Sequence, residues 1–524
     1  MYRRSMLGQL KLEIPFGVTL DSNNRWVKLS SLMPWEKIEE KYSENFKGTS
    51  GQIPYSGRLS FAALYIQSRL TITDEETVSQ IQETPSMQYF CGYDTYSPEK
   101  PFDSSLMVHF RKRITAEMLK DITEEAFAAE ALKVINKNEV VNKTQGDSDK
   151  SSDESDNESS NENNDETDEK SNNNETDSDD SDCQKTDKTE ENAENTPKPK
   201  GTMLLDATCC PADIHYPTDI HLLNHARELT ELIIDNLHEF LVRFGHVKPR
   251  TYRNVARAVY LSCTKKRKHT HREIRFTIRQ QLQYIRRNLE SITEQVGLGA
   301  SLSLLSNELY RKLLVISELY RQQKHMYDEK THTVEDRIVS ISQPHIRPIV
   351  RGKQGASVEF GAKVATAHIG GFSFVIHMGY DNFSEAQYLK ESAEEYKRMF
   401  GFYPEVIIGD KLYATNDNRK YCDSKGIRLS APKRGRKSEE VKEAERKQLY
   451  EDGCVRNAIE GDYGVCKRKY GLDLVMTKLF DTTLTTIAVC FFVKNMERVL
   501  RFLFYTFWDF RFHFTMFYQI VNPQ

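Results

Sequence analysis

Three acidic residues stand where apolar or helical patterns turn polar, and their types suit one chemistry. Asp206 closes the apolar run TMLLDAT, Asp410 closes PEVIIGD, and Glu460 lies between Arg456 and Lys467 in CVRNAIEGDYGVCKRKYGL. An apolar run ending in an acid is the pattern of a strand buried on both faces whose last residue reaches a sheet edge. If the two strands are parallel neighbours, both carboxylates emerge at the carboxyl edge, where ligands of such sheets bind. Arg456, Glu460 and Lys467 share one helical face, with Val455, Ile459 and Cys466 as the adjacent apolar stripe. Singly, each signal has a plainer meaning. An Asp after a strand also serves as a turn or cap residue, and an Arg-Glu-Lys row is also a set of surface pairs worth about 0.2–0.5 kcal/mol each. Together, three carboxylates without thiol or imidazole ligands suit a hard, oxygen-preferring cation, Mg²⁺ or Mn²⁺, rather than zinc. Two such ions roughly 4 Å apart activate an attacking water or hydroxyl and stabilise the leaving oxygen of an in-line phosphoryl displacement. Arg456 and Lys467 would then hold phosphate oxygens.

The elements that must position these groups follow from the pattern around them. Strand one is followed by more than a hundred helical residues, about 219–339, too long for a loop and so a helical insertion. SVEFGAKVATAHI and FSFVIHMG, separated by Gly370 and Gly371, form a hairpin. A helix at about 384–400, the strand PEVIIGD, a short strand in GIRLSAP and a helix at about 454–470 complete an α/β domain with a mixed sheet. Residues 1–136 read as short helices: LSFAALYIQSRL has helical spacing, TDEETVSQIQ opens on the cap-like Thr73-Asp74, and PFDSSLMVHFRKRI carries His109, Arg111, Lys112 and Arg113 on its last helix. That polar, basic face suits either groove reading or a solvated structural helix. The last stretch, 481–524, is aromatic. Its hydrophobic part, 484–505, is interrupted by Lys494, Glu497, Arg498 and Arg501 before it reaches membrane-spanning length, so a buried or partner-covered helix is expected.

The chain has 524 residues and a formal charge of −4, which conceals an uneven distribution. Residues 147–194 have 20 acids against 4 lysines, a net of −16, leaving 69 bases against 57 acids elsewhere, a net of +12. This acidic stretch has almost no apolar area to bury, so residues 137–200 are expected to be a disordered linker between two folded parts. Residues 243–287 hold 14 Lys and Arg and one acid, Glu273, interleaved with aromatic side chains. Such density suits a phosphate-tracking surface, with Lys265, Lys266, Arg267, Lys268, Arg272, Arg275 and Arg279 as its centre. Nine cysteines without a C-x-x-C pair point to a reducing compartment, and the first residues lack the apolar run of a secretory signal. His215, His221 and His225 beside Cys209 and Cys210 match no zinc spacing. No phosphate-loop pattern is present, so no nucleotide cofactor is implied.

On LLDATCCPADIHYPTD, DRIVSISQPHIRPIVRGK, VEFGAK, PEVIIGDKLYATNDNRKYC, GIRLSAP and RNAIEGDYGVCKRKYGLDLVMTKL, the chain resembles the DDE transposases of bacterial insertion sequences. LSSLMPWEKIEEKY, TITDEETVSQIQE and PFDSSLMVHFRKR extend the resemblance into the N-terminal part. It implies a ribonuclease-H-like mixed sheet over 201–480 with a helical basic insertion at about 220–340, and an all-α DNA-binding domain over 1–136. Asp206, Asp410 and Glu460 would be the catalytic acids holding Mg²⁺ or Mn²⁺, with two ions expected, and Arg456 and Lys467 would belong to the signature of the glutamate helix. The position of the signature tyrosine, three residues before Arg456, is Gly453 here, with Tyr450 and Tyr463 as substitutes. The resemblance further implies binding to terminal inverted repeats, metal-dependent DNA cleavage, strand transfer into double-stranded target DNA, and a homodimer on DNA in the cytoplasm with the nucleoid. A structure-specific nuclease of the same fold and an inactive DNA-binding regulator are the rival readings. No membrane partner is expected.

Overall fold

The run after the acidic stretch becomes the central strand of a six-stranded mixed sheet. A computed structural model of the chain describes residues 19–46, 53–146, 198–350, 358–432 and 438–521. The acidic stretch expected to be a disordered linker lies, for residues 147–197, outside the described residues.

The N-terminal part is helical, as its periodicity requires: α1 (Arg25–Leu32), α2 (Trp35–Ser43), α3 (Gly57–Leu70), α4 (Asp74–Glu83), α5 (Pro85–Cys91), α6 (Leu106–Arg113) and α7 (Ala116–Gly146). Thr73 caps α4 by accepting from the Glu76 amide, which satisfies one of the open N–H groups of the first turn. Helix α7 continues ten residues past position 136, the end expected for this part.

The strands are β1 (Thr202–Pro211), β2 (Arg347–Val350), β3 (Val358–Ile369), β4 (Phe372–Gly379), β5 (Val406–Ile408) and β6 (Arg428–Leu429). β1 pairs antiparallel with β3 on one side and parallel with β5 on the other; β5 continues parallel to β6. The far edge of β3 is shared by β2 and then β4. Gly370 and Gly371 turn the β3–β4 hairpin with φ of 58° and 88°, a backbone that side chains with a Cβ resist. The mixed α/β architecture and this hairpin agree with the sequence, but β2 was hidden in DRIVSISQPHIRPIVRGK. Only four residues long, it offers too little alternation to be read.

Between β1 and β2 the insertion folds as α8 (Asp219–Leu241), α9 (Arg253–Thr264), α10 (His271–Gly297) and α11 (Asn307–Asp328) around two small cores of its own, one centred on Leu223 and Ile285, the other on Ile234 and Leu305. After the hairpin come α12 (Leu389–Phe400), α13 (Asn416–Lys425), α14 (Glu439–Tyr470) and α15 (Phe480–Val521). Helix α14 begins fifteen residues before the expected start at Cys454, because the charged run EEVKEAERKQLYED has high helix propensity though no apolar stripe. Its buried side runs through Ile459, Tyr463, Cys466 and Tyr470. Val455, expected in the stripe, is 48% exposed, although the buried Asp452 just before it already meets the sheet through Arg428 of β6 at 2.7 Å.

A single apolar core extends from Trp26 and Phe61 in the N-terminal helices to Ile407 in the sheet and Phe491 in α15. Phe127 of α7 stacks on Phe372 of β4 with centroids 5.6 Å apart, and Phe61 meets the edge of Phe492 at 5.1 Å. Arg69 pairs with Glu497 at 2.8 Å and Lys120 with Glu395 at 2.6 Å across the same junction. The parts on either side of the acidic stretch are therefore packed together, with α15 as the wedge between them. The interruption of α15 by charge is explained by a buried cluster. Lys494 pairs with Asp462 of α14 and donates to the Gly371 carbonyl at 3.0 Å, and His368 of β3 meets the same Asp462 carboxylate at 2.7 Å. Among the described residues no helix is long and apolar enough to cross a membrane.

Candidate functional site

Asp206 does not end its strand, as the apolar run suggested. β1 continues to Pro211, because β3 goes on pairing with it up to Gly361. On the opposite side the partner stops early: β1 and β5 are in register only through Thr202↔Val406, Met203↔Ile407 and Leu204↔Ile408. Asp206 and Asp410 each lie two residues beyond the last of these pairs. With a side-chain period of two, they keep the pleat phase of Leu204 and Ile408 and emerge together over the carboxyl end of β5. Gly409 lets the chain turn there: a Cβ at that position would meet the Tyr413 ring at 2.7 Å. Asp410 also fills the plainer role, as its carboxylate accepts from the Lys411 amide at 2.6 Å and caps the turn Lys411–Tyr413.

Helix α14 crosses this opening and presents Arg456, Glu460 and Lys467 to it. Its seat is fixed by Tyr463, whose buried hydroxyl donates to the Asp206 carbonyl at 2.8 Å and meets the Thr366 hydroxyl at 2.7 Å. All five residues, Asp206, Asp410, Arg456, Glu460 and Lys467, line one cavity of about 800 Å³. Tyr463 lines it too, whereas Tyr450 is 74% exposed and absent from the lining. Tyr463 is thus the tyrosine at the cavity, but its hydroxyl is committed to the strands.

Charge in the cavity is ordered. Arg456 holds Glu460 at 3.0 Å and reaches toward Asp410 at 3.8 Å, while its buried Nε has no partner among the described residues. Burial pushes the Asp206 carboxyl up to about 6. A hydrogen bond from the Ala207 amide and the Arg456 charge oppose this, whereas Glu385 and Glu460 reinforce it. Among the described residues, no three His, Cys, Asp or Glu side chains stand close enough together to hold a metal ion. The donors nevertheless suit a hard divalent cation. They are all oxygens, and the half-buried Asp206 has its ionised form disfavoured by burial and by neighbouring acids, a cost that a cation relieves. The Arg456 guanidinium now stands between the Asp410 and Glu460 carboxylates.

Two lining residues escaped the sequence. Glu385, in the turn Glu385–Tyr388 before α12, and Lys363 of β3 face each other across 2.9 Å at the cavity wall. Lys363 belongs to VEFGAK, so a basic residue closing that motif was the available signal; Glu385 gave none.

The basic candidates are distributed differently. Arg111, expected on a groove-reading or solvated face, lies on neither: it is 5% exposed and its guanidinium is spent on Asp74 and on Gln67, the latter at 2.7 Å, so it locks α6 to α3 and α4. Lys112 is exposed, and Arg113 covers the Phe46 ring at 5.0 Å. Lys265, Lys266, Arg267, Lys268, Arg272 and Arg279 are exposed at the α9–α10 junction. Arg275 is half-buried over the Tyr327 ring at 4.3 Å. None of them lines the acidic cavity, so the insertion does not bring its basic surface into the site. His221 bonds the Tyr260 hydroxyl at 2.8 Å, a packing role in line with its unsuitable metal spacing. A second cavity of about 810 Å³ lies between α3, α4, α6 and α15 and is chiefly apolar.

Comparison with known proteins gives two family matches. Residues 407–497, which include Asp410, Arg456, Glu460 and Lys467, match the family described as Transposase DDE domain. Residues 16–113 match the family described as Transposase domain (DUF772). An uncharacterised protein from Rhizobium meliloti, ORF8 of the nfe locus, is 30% identical over 103 residues, 20% of this chain and 49% of that protein. The chain thus spans about half the length of the curated relative it matches. No solved structure matches.

Proposed function

We propose, from the premise that this chain is a DDE transposase of the insertion-sequence type, that it binds the terminal inverted repeats of its element, hydrolyses phosphodiester bonds there and joins the freed 3′-hydroxyl to target DNA. The reading rests above all on one observation: two carboxylates from parallel neighbouring strands and one from the crossing helix open into the same cavity. That arrangement, an acid on the central strand, a second beyond its parallel neighbour and a third on a covering helix, supports a ribonuclease-H-like core. Asp206, Asp410 and Glu460 would hold Mg²⁺ or Mn²⁺, two ions when the site is full. Held by these three carboxylates, such cations would supply charge neutralisation for the attacking and leaving oxygens of an in-line displacement.

The chain's own residues account for the rest. Arg456, once drawn from Glu460 by a competing phosphate, offers a planar fork to phosphate oxygens, and its unpaired Nε is a further donor. Lys467 lies two turns beyond Glu460 along α14 and lines the same cavity, a second positive group for phosphate oxygens. Tyr463 holds the helix at a set height above Asp206, so that the third acid cannot drift from the first. The exposed bases at the α9–α10 junction and Lys112 on α6 provide phosphate contacts away from the chemistry. Two ends must meet for joining, so a homodimer on DNA in the nucleoid is the expected working form, without a nucleotide cofactor.

The test is a strand-transfer assay with a labelled element end. Joined product with Mg²⁺, lost in Glu460→Gln, is the expected result. Cleavage without joining would favour a nuclease of the same fold, and binding without either would favour a regulator. Full joining by Glu460→Gln would refute the site.

A further inference from the structure

The cavity holds one carboxylate more than the triad, and that carboxylate is carefully held. Glu385 lies in the turn that leads from β4 into α12, a segment whose surface position would ordinarily leave it mobile. Here three contacts anchor it. The Lys363 ammonium sits 2.9 Å from a Glu385 oxygen and also donates to the Phe383 carbonyl at 2.9 Å. His377 of β4 stacks on Tyr388, at the other end of the turn, with centroids 4.5 Å apart. Most telling, the buried Asn418 of α13 donates one amide proton to the Ala386 carbonyl at 2.8 Å and the other to the Tyr413 carbonyl at 2.9 Å. Asn418 therefore clamps the turn of Glu385 to the turn that follows Asp410. The two acids are held as one unit, and the Glu385 carboxylate, 14% exposed, faces the same space as Asp206.

The pairing of charges gives this a purpose. Arg456 holds Glu460 and leans toward Asp410, and Lys363 holds Glu385. Asp206 forms no ion pair among the described residues. A half-buried cavity tolerates little net charge. Two divalent cations beside the Arg456, Lys363 and Lys467 charges of the lining leave three carboxylates well outnumbered, and Glu385 reduces that excess by one.

Resting on the transposase reading of this site, we propose that Glu385 is a fourth carboxylate of the cation-holding edge, and that Lys363 is its resident counter-ion, an ammonium that competes with a divalent cation for the same oxygens. Asn418 is then a positioning residue, since it acts through the two turns and touches no cation. Lys363, displaced from Glu385 as the cation enters, remains at the cavity wall as one more positive group for the bound phosphate backbone.

The experiment is a titration of the full-length chain with Mn²⁺ alone, free Mn²⁺ being read by electron paramagnetic resonance, with no DNA and no turnover. Glu385→Gln is expected to weaken Mn²⁺ binding at least tenfold. Lys363→Met, which removes the competitor and keeps the apolar stem, is expected to tighten it several-fold. Wild-type affinity in Glu385→Gln overturns the proposal, and so does unchanged or weaker binding in Lys363→Met. If Glu385→Gln fails to fold by circular dichroism, Lys363→Met decides alone. Asp206→Asn separates the two levels of the argument: impaired binding there with an indifferent Glu385→Gln sinks only the fourth carboxylate. A wild-type chain that binds no Mn²⁺ at millimolar concentration sinks both.

Discussion

Replacing Asp206 by Asn should stabilise the cation-free chain while destroying its use for cations. Burial lifts this carboxyl to about 6 from an ordinary 3.8. At about 1.4 kcal/mol per pH unit the gap amounts to about 3 kcal/mol. The direction follows from linkage. The folded chain holds the Asp206 proton more tightly than the unfolded chain, so ionisation opposes folding. That penalty is absent below pH 3.8, grows between 3.8 and about 6, and is complete above 6. Asn has the same shape, keeps an acceptor for the Ala207 amide, which now donates to Asp206 Oδ1 at 2.8 Å, and bears no charge. At pH 8 in EDTA, Asp206→Asn should therefore be more stable by about 3 kcal/mol. With an unfolding entropy of about 2 cal/mol/K per residue, a chain of 524 residues would melt about 3 °C higher. The difference should shrink toward zero as the pH is lowered to 4. Added Mn²⁺ should reverse the order, raising the melting temperature of the wild type alone. Differential scanning calorimetry across pH 4–8, with and without Mn²⁺, measures all of this. A variant that melts at or below the wild type at pH 8 in EDTA would refute the claim that Asp206 is an unpaired, half-buried charge.

Three further outcomes follow from the same structure. Burial works to raise the Asp462 carboxyl, but the hydrogen bond with His368 and the Lys494 ammonium outweigh it and hold the group down to about 2; its contribution to stability should be complete above pH 4 and lost as the pH falls toward 2. Asp462→Asn, which strands the buried Lys494, should cost about 3–5 kcal/mol in urea unfolding at pH 7, and a cost under 1 kcal/mol would show that the cluster is not needed to seat α15. Arg111→Ala should destabilise by about 2–4 kcal/mol, because it leaves Asp74 without its buried partner, yet leave the salt dependence of end binding unchanged where the chain is folded; a shallower salt slope would mean that Arg111 does reach phosphate. Replacing Lys265, Lys266, Arg267 and Lys268 together by Ala should reduce the slope of log affinity against log salt by about 3–4 for a terminal-repeat duplex, and an unaltered slope in a filter-binding series would remove that junction from the DNA surface.

Legibility in the sequence tracked the range of the interaction. The hairpin glycines, the Thr73 cap and the Arg456–Glu460–Lys467 row are local patterns, set by backbone sterics and helical pitch, and each was readable where it stands. Asp206 was found for a reason that proved incomplete: the run looked finished because its apolar character breaks at the acid, whereas the strand goes on for as long as β3 pairs with it. Arg111 misled because a basic residue at the end of a helix looks the same whether it meets phosphate or Asp74, and the partner lies 37 positions away.

By itself the amino-acid order determined the types of group available, the helices and strands that carry them, and the separation of an acidic stretch from basic surfaces, since propensity, periodicity and charge are properties of neighbours along the chain. Only the tertiary structure decided that β5 ends where Asp206 begins to matter, that Tyr463 pins the glutamate helix over it, that α15 welds the N-terminal helices to the sheet, and that Glu385 joins the acids. Each of these depends on which surfaces meet when apolar area is buried, a choice made by residues hundreds of positions apart.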